Sequence, residues 1–148
     1  MKKLFLFFSL LCMMPGIGHT QQYLPGLWSG TLTQGNETYP VEIFIVRNKQ
    51  KLSGQSYVHL PNGETVAAEV KGRLHEDLSL NLYDLKIVQP VEDLQDDSLH
   101  FPRHFQLLYR RSFNEMELRG YWQDWHHSAG DPQRRQGKIV LRRKASKA

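Results

Sequence analysis

Between Thr65 and Leu74 the chain alternates without a break. Val66, Ala68, Val70, Gly72 and Leu74 fall on one side, and Thr65, Ala67, Glu69, Lys71 and Arg73 on the other. A period of two puts each set on its own face of a β-strand, one dry and one wet. The same rhythm recurs about eight times. In Leu27 to Thr33 it groups Trp28, Gly30 and Leu32, and in Tyr39 to Val46 it groups Tyr39, Val41, Ile43 and Ile45. Lys51 to Leu60 reads as a strand whose two faces are hard to tell apart. Leu78, Leu80 and Leu82 open a fifth strand that runs to about Val88, and Leu85 and Ile87 fall out of phase with them, which predicts a bulge. Arg103 to Arg110 turns Phe105, Leu107 and Tyr109 inward; Met116, Leu118, Gly120 and Trp122 share the next inner face; Ile139 and Leu141 mark the last. No stretch sustains a helical period.

Short polar turns separate most of these strands, among them Gln34-Gly35-Asn36-Glu37, Arg47-Asn48-Lys49-Gln50 and Pro61-Asn62-Gly63-Glu64. Connections this short make neighbours antiparallel, because a parallel pair needs a crossover of roughly a dozen residues or more. Gly30, Gly54, Gly72 and Gly120 lie inside strands, where glycine weakens a sheet unless it bends or packs closely. The expected fold is all-β: a single eight-stranded antiparallel up-and-down β-barrel, with a β-sandwich as the alternative. An outer-membrane barrel is disfavoured, since it would send Glu69, Lys71, Arg73, Glu117 and Arg119 into the lumen and leave glycine and small residues toward lipid.

Loops of such a barrel alternate between its ends. The long segments 89–101 and 124–136 therefore share one rim, the mouth. The opposite base receives the start of the first strand and the finish of the last, which puts Trp28 near Arg142 or Arg143.

The first 20 residues stand apart. Lys2 and Lys3, the apolar run Leu4 to Met14 and the exit Pro15-Gly16-Ile17-Gly18-His19-Thr20 form the three-part pattern of a secretory signal peptide, too short to span a bilayer. A lipid anchor on Cys12 competes with this reading, but Leu11 is larger than the residue that usually precedes an anchored cysteine. The expected organisation is a leader at 1–20, a lead-in at 21–25, the barrel at 26–143 and a basic tail at 144–148, destined for the periplasm or the exterior. Loss of Lys2 and Lys3 lowers the net charge from +4 to +2, which argues against a nucleic-acid partner. Cys12 is the only cysteine, so the processed chain has no disulfide and no thiol chemistry.

Gly26-Leu27-Trp28 resembles the glycine-x-tryptophan signature that opens the first strand of lipocalins, and Ile139-Val140-Leu141-Arg142-Arg143 resembles their last strand. The resemblance implies a calycin-type barrel, also similar to avidins, with an arginine packed over Trp28 and Gly26 and Gly120 in structural roles. The chain as a whole resembles small exported proteins of the Bacteroidetes type, through Trp28-Ser29-Gly30, Leu52-Ser53-Gly54 and Gly120-Tyr121-Trp122. It lacks the paired cysteines many of them carry, and no ligand-binding residue transfers from the resemblance.

The residues themselves offer a candidate site at the mouth. Tyr39, Trp122 and Asp84 fall there in inward phase, and Trp125 lies on the adjoining loop. An apolar cup with aromatics and a carboxylate suits a small amphipathic, hydrophobic or cationic ligand; the alternative is that these side chains plug the barrel. His59, His100, His104, His126 and His127 could share that rim, but they lack the spacing of a metal site, and no metal or cofactor is expected. Glu92, Asp93, Asp96 and Asp97 lack the oxygen pattern of a calcium loop and read as a solvated cluster facing Arg134 and Arg135. With no nucleophile elbow, phosphate loop or zinc-protease helix, an enzyme is not expected. The functional expectation is a ligand-binding barrel; the alternatives are a protein-interaction module, such as an inhibitor of an exported hydrolase, and a structural accessory of the cell envelope.

Overall fold

The computed structural model describes residues 24–89 and 102–144. The eight alternating stretches form eight strands: β1 (Gly26–Gln34), β2 (Glu37–Asn48), β3 (Lys51–His59), β4 (Thr65–Leu74), β5 (Ser79–Gln89), β6 (Arg103–Arg111), β7 (Glu115–Asp124) and β8 (Gln136–Lys144). They close in sequence order into an up-and-down barrel, with every neighbouring pair antiparallel and β1 completing the circle against β8 through Ser29↔Arg142 to Leu32↔Ile139. Closure rather than a sandwich follows from the local chemistry. At Gly120 an added Cβ would stand 1.9 Å from the Gln106 carbonyl oxygen of the neighbouring strand. Such close approach is how strands coil tightly enough to meet, and only glycine permits it.

The inward phase is dry. Trp28, Ile43, Val70, Leu82, Phe105, Leu118 and Leu141 are among the side chains that fill the interior. Glu69, Lys71, Arg73, Glu117 and Arg119 lie on the outward phase, the inverse of a membrane barrel's arrangement. Leu85 is the extra residue between the pairs Val70↔Asp84 and Glu69↔Lys86, and a second irregularity follows before Gln89. The expected bulge is thus present. It keeps Asp84 buried and turns Leu85 outward.

At the base, Trp28 is wholly buried and its indole N–H donates to the Leu24 carbonyl at 2.8 Å. Tyr109 meets it edge-on at 6.2 Å. The Arg143 guanidinium lies 4.8 Å from the ring centroid and donates to the Pro25 carbonyl. Partial burial holds the Arg143 pKa below the usual guanidinium range, against the opposing pull of Tyr109. Gly26 makes room for this arrangement: its φ of +122° suits glycine, and an added Cβ would come within 2.6 Å of Arg143 Nη1. Arg142 takes the other face, where it pairs with Glu117 at 3.3 Å and Glu115 at 3.6 Å. The base arginine is therefore Arg143.

Two substitutions test this division by urea denaturation. Arg143→Ala is expected to cost about 1–2 kcal/mol, from the lost ring contact. Arg142→Ala removes only exposed ion pairs and is expected to cost less than about 1 kcal/mol.

Candidate functional site

The mouth is built by strand ends whose alternation sends charge inward. Arg103 opens β6 in phase with Phe105, and Asp124 closes β7 in phase with Trp122; the two are cross-strand partners, and both are buried. Asp84 approaches from β5, where the β5–β6 register ends at Tyr83↔His104. Its carboxylate takes over the next interstrand role by accepting the Arg103 backbone N–H at 3.3 Å, and it also accepts from Ser56 Oγ at 3.0 Å. The Arg103 guanidinium lies 3.6 Å from that carboxylate and 5.5 Å from the Trp122 ring centroid. Trp122 donates its indole N–H to the Thr33 carbonyl at 2.8 Å. One cation thus meets a carboxylate and an aromatic face out of contact with water.

Burial is the leading electrostatic influence on the pair. It raises the Asp84 pKa, with Arg103 and the Ser56 hydroxyl pulling the other way, and it lowers the Arg103 pKa, with Asp84 and Asp124 opposing. Asp124 also organises the following loop. It accepts the His126 backbone N–H at 2.8 Å and bonds the His127 ring, while its own N–H donates to the Arg135 carbonyl at 2.8 Å.

Outside the mouth a second network runs over the wall. Tyr83 stacks on His104 at 4.2 Å; His104 contacts Asn81 Oδ1 at 3.2 Å and the Gln123 amide at 3.3 Å, and Gln123 accepts from Arg134 at 2.7 Å. Burial, and then Arg134, lower the His104 pKa below its ordinary 6.5. Beside this network a groove of about 760 Å³ crosses β7, β8 and the end of β1, between Tyr121, Gln106, Gln136, Lys138 and Thr33, with Trp122 and Gly137 in its lining.

Tyr39, Asp84 and Trp122 all lie at the mouth end and are 4%, 1% and 1% exposed. Their side chains are packed into the lumen, and the Asp84 carboxylate is paired with Arg103. Trp125 stands apart from them, half-exposed and stacked on His126. His59 bridges Thr65 and Glu42 on the outer wall. His100 and the acidic cluster Glu92, Asp93, Asp96 and Asp97 lie outside the described residues, among which no group of three or more histidine, cysteine or acidic side chains could hold a metal ion. Arg103 and Asp124 are the principal mouth residues that strand assignment alone passes over, although the inward phase of both is readable.

No family model matches the chain, and no curated protein matches it. Among solved structures it is similar to a redesigned β-barrel, mFAP1, solved with DFHBI bound: TM-score 0.54, 17% identity, covering 82% of this chain and 96% of that one. The likeness shows a small eight-stranded β-barrel.

Arg103→Met leaves Asp84 buried without its counter-ion and is expected to cost about 3–5 kcal/mol in denaturant. Adding Asp84→Leu should recover most of that loss. The sign with pH follows from Asp84, whose folded pKa is raised above its ordinary 3.8. A carboxyl with a raised folded pKa favours the fold most below its unfolded value, and that contribution is lost as pH rises through the folded one. The single variant's deficit relative to the parent should therefore narrow on acidification toward pH 3.8, as read from denaturation curves across pH.

Proposed function

We propose that the chain is an exported binding protein of the lipocalin type, a binder and not a catalyst, that holds a small amphipathic ligand at the mouth end, in the groove outside Trp122 and not in the lumen. The observation that carries this is the groove itself. Its volume of about 760 Å³ falls within the roughly 300–1,000 Å³ of small-molecule sites, and Tyr121 stands 63% exposed beside it. The ring offers an apolar platform; the amides of Gln106 and Gln136 each offer donors and an acceptor. Lys138 is the one charged lining residue, which favours a neutral or anionic ligand over a cationic one. The solved barrel with DFHBI bound has the same architecture and is consistent with this reading. Export rests on the leader pattern from Lys2 to Thr20.

A second reading, recognition of a protein partner, draws on one specific observation. The loop after β7 is held in shape by three bonds to Asp124 while Trp125 stays half-exposed, an aromatic anchor on a preorganised loop.

Native mass spectrometry of the processed protein from its exported fraction separates the two. The ligand reading expects a noncovalent adduct that denaturation removes, and about tenfold weaker retention in Tyr121→Ala. A bare polypeptide mass, together with loss of a copurifying protein in Trp125→Ala, would replace it with the partner reading.

A further inference from the structure

At the base, the outer wall of β1 to β4 carries a surface that neither the mouth groove nor the fold requires. Leu27 and Phe44 are direct cross-strand partners, and Val46 follows Phe44 on the same face; they are 47%, 44% and 47% exposed. The register continues this patch into cations. Val46 lies opposite Ser53, Asn48 opposite Lys51, and Lys51 opposite Arg73. Lys49 occupies the hairpin tip with a φ of +57° and receives the Arg47 Nε–H on its carbonyl.

Two like charges directly opposed across a ladder are unfavourable. Several cations elsewhere on the wall are answered: Lys71 pairs with Glu69, Arg119 with Glu117, and Arg142 with Glu115 and Glu117. Among the described residues Lys49, Lys51 and Arg73 make no ion pair; Arg73 donates only to the Gln50 amide oxygen, at 3.0 Å. They surround a hollow of about 720 Å³. Glu76 and Asp77 bound the adjoining hollow on the far side of Arg73 and mark where the basic surface stops.

We propose that this face docks on an anionic lipid bilayer. Lys49, Lys51 and Arg73 meet the headgroups, and Leu27, Phe44 and Val46 enter the interface. An unpaired cluster of cations gains most against a surface of opposite charge. The apolar triplet beside it selects a bilayer over a soluble polyanion, because a polyanion offers nothing apolar to bury. With the base on the membrane, the mouth groove faces water.

The test is sedimentation of the processed protein with vesicles of phosphatidylglycerol and phosphatidylcholine, against phosphatidylcholine alone. Binding is expected only to the anionic vesicles and should weaken with added salt. Changing Lys49, Lys51 and Arg73 to Gln should lower it about fivefold per charge. Phe44→Ser should lower it several-fold further, while Arg110→Gln with Arg111→Gln, on β6 at the same end, should leave it unchanged. All these positions are exposed, and circular dichroism of each variant is the check that it keeps the parent's fold. The proposal is overturned by equal binding to both vesicles or by none. It is likewise overturned by an equal loss in the β6 variant, or by binding that soluble polyphosphate abolishes and Phe44→Ser leaves intact.

Discussion

Each end of this barrel is closed by a tryptophan that is held in two ways at once. At the base, Trp28 donates to the Leu24 carbonyl and lies under Arg143; at the mouth, Trp122 donates to the Thr33 carbonyl and lies near Arg103. A buried indole without a partner for its N–H would be costly, and one without a packed face would leave a void, so both requirements fix the ring. Everything between the two follows as ordinary apolar packing: one face of each strand turned inward, and glycines where neighbouring backbones come too close for a side chain.

The two closures differ in kind. The base arginine stays partly solvated and leans on a backbone carbonyl and an aromatic. Arg103 is fully buried and needs carboxylates. Taking such a pair out of water costs several kcal/mol per ion before their attraction repays it, so Asp84 and Arg103 fix which strand ends meet more than they stabilise the whole. That constraint leaves little of the lumen's mouth open. Both inward carboxylates at the mouth are engaged within the chain, and the surfaces left open at this end are the wall groove beside Tyr121 and the half-exposed loop around Trp125.

Much of the fold is legible in the sequence because its cause is local. Period-two alternation names the inner face of each strand, short turns force antiparallel neighbours, and the slip at Leu85 shows as a change of phase in the residues alone. The site is legible only in part. Phase places Tyr39, Asp84 and Trp122 correctly at the mouth, but whether such side chains line a cup or fill it depends on their volumes summed across eight strands. Arg103 and Asp124 carry the same inward phase, yet a charge at a strand end is usually solvated, so phase alone does not mark them. Their opposition across the β6–β7 ladder is a fact of register, and register is where local pattern gives way to tertiary pairing.

A lumen closed at both ends makes a direct demand on the three indole N–H groups. Their hydrogen exchange can be followed by NMR. Closure predicts slow exchange at Trp28 and Trp122, whose N–H groups are buried and bonded, and fast exchange at Trp125. Exchange at Trp122 as fast as at Trp125 would mean that the mouth stands open, and the lumen would again be the binding site.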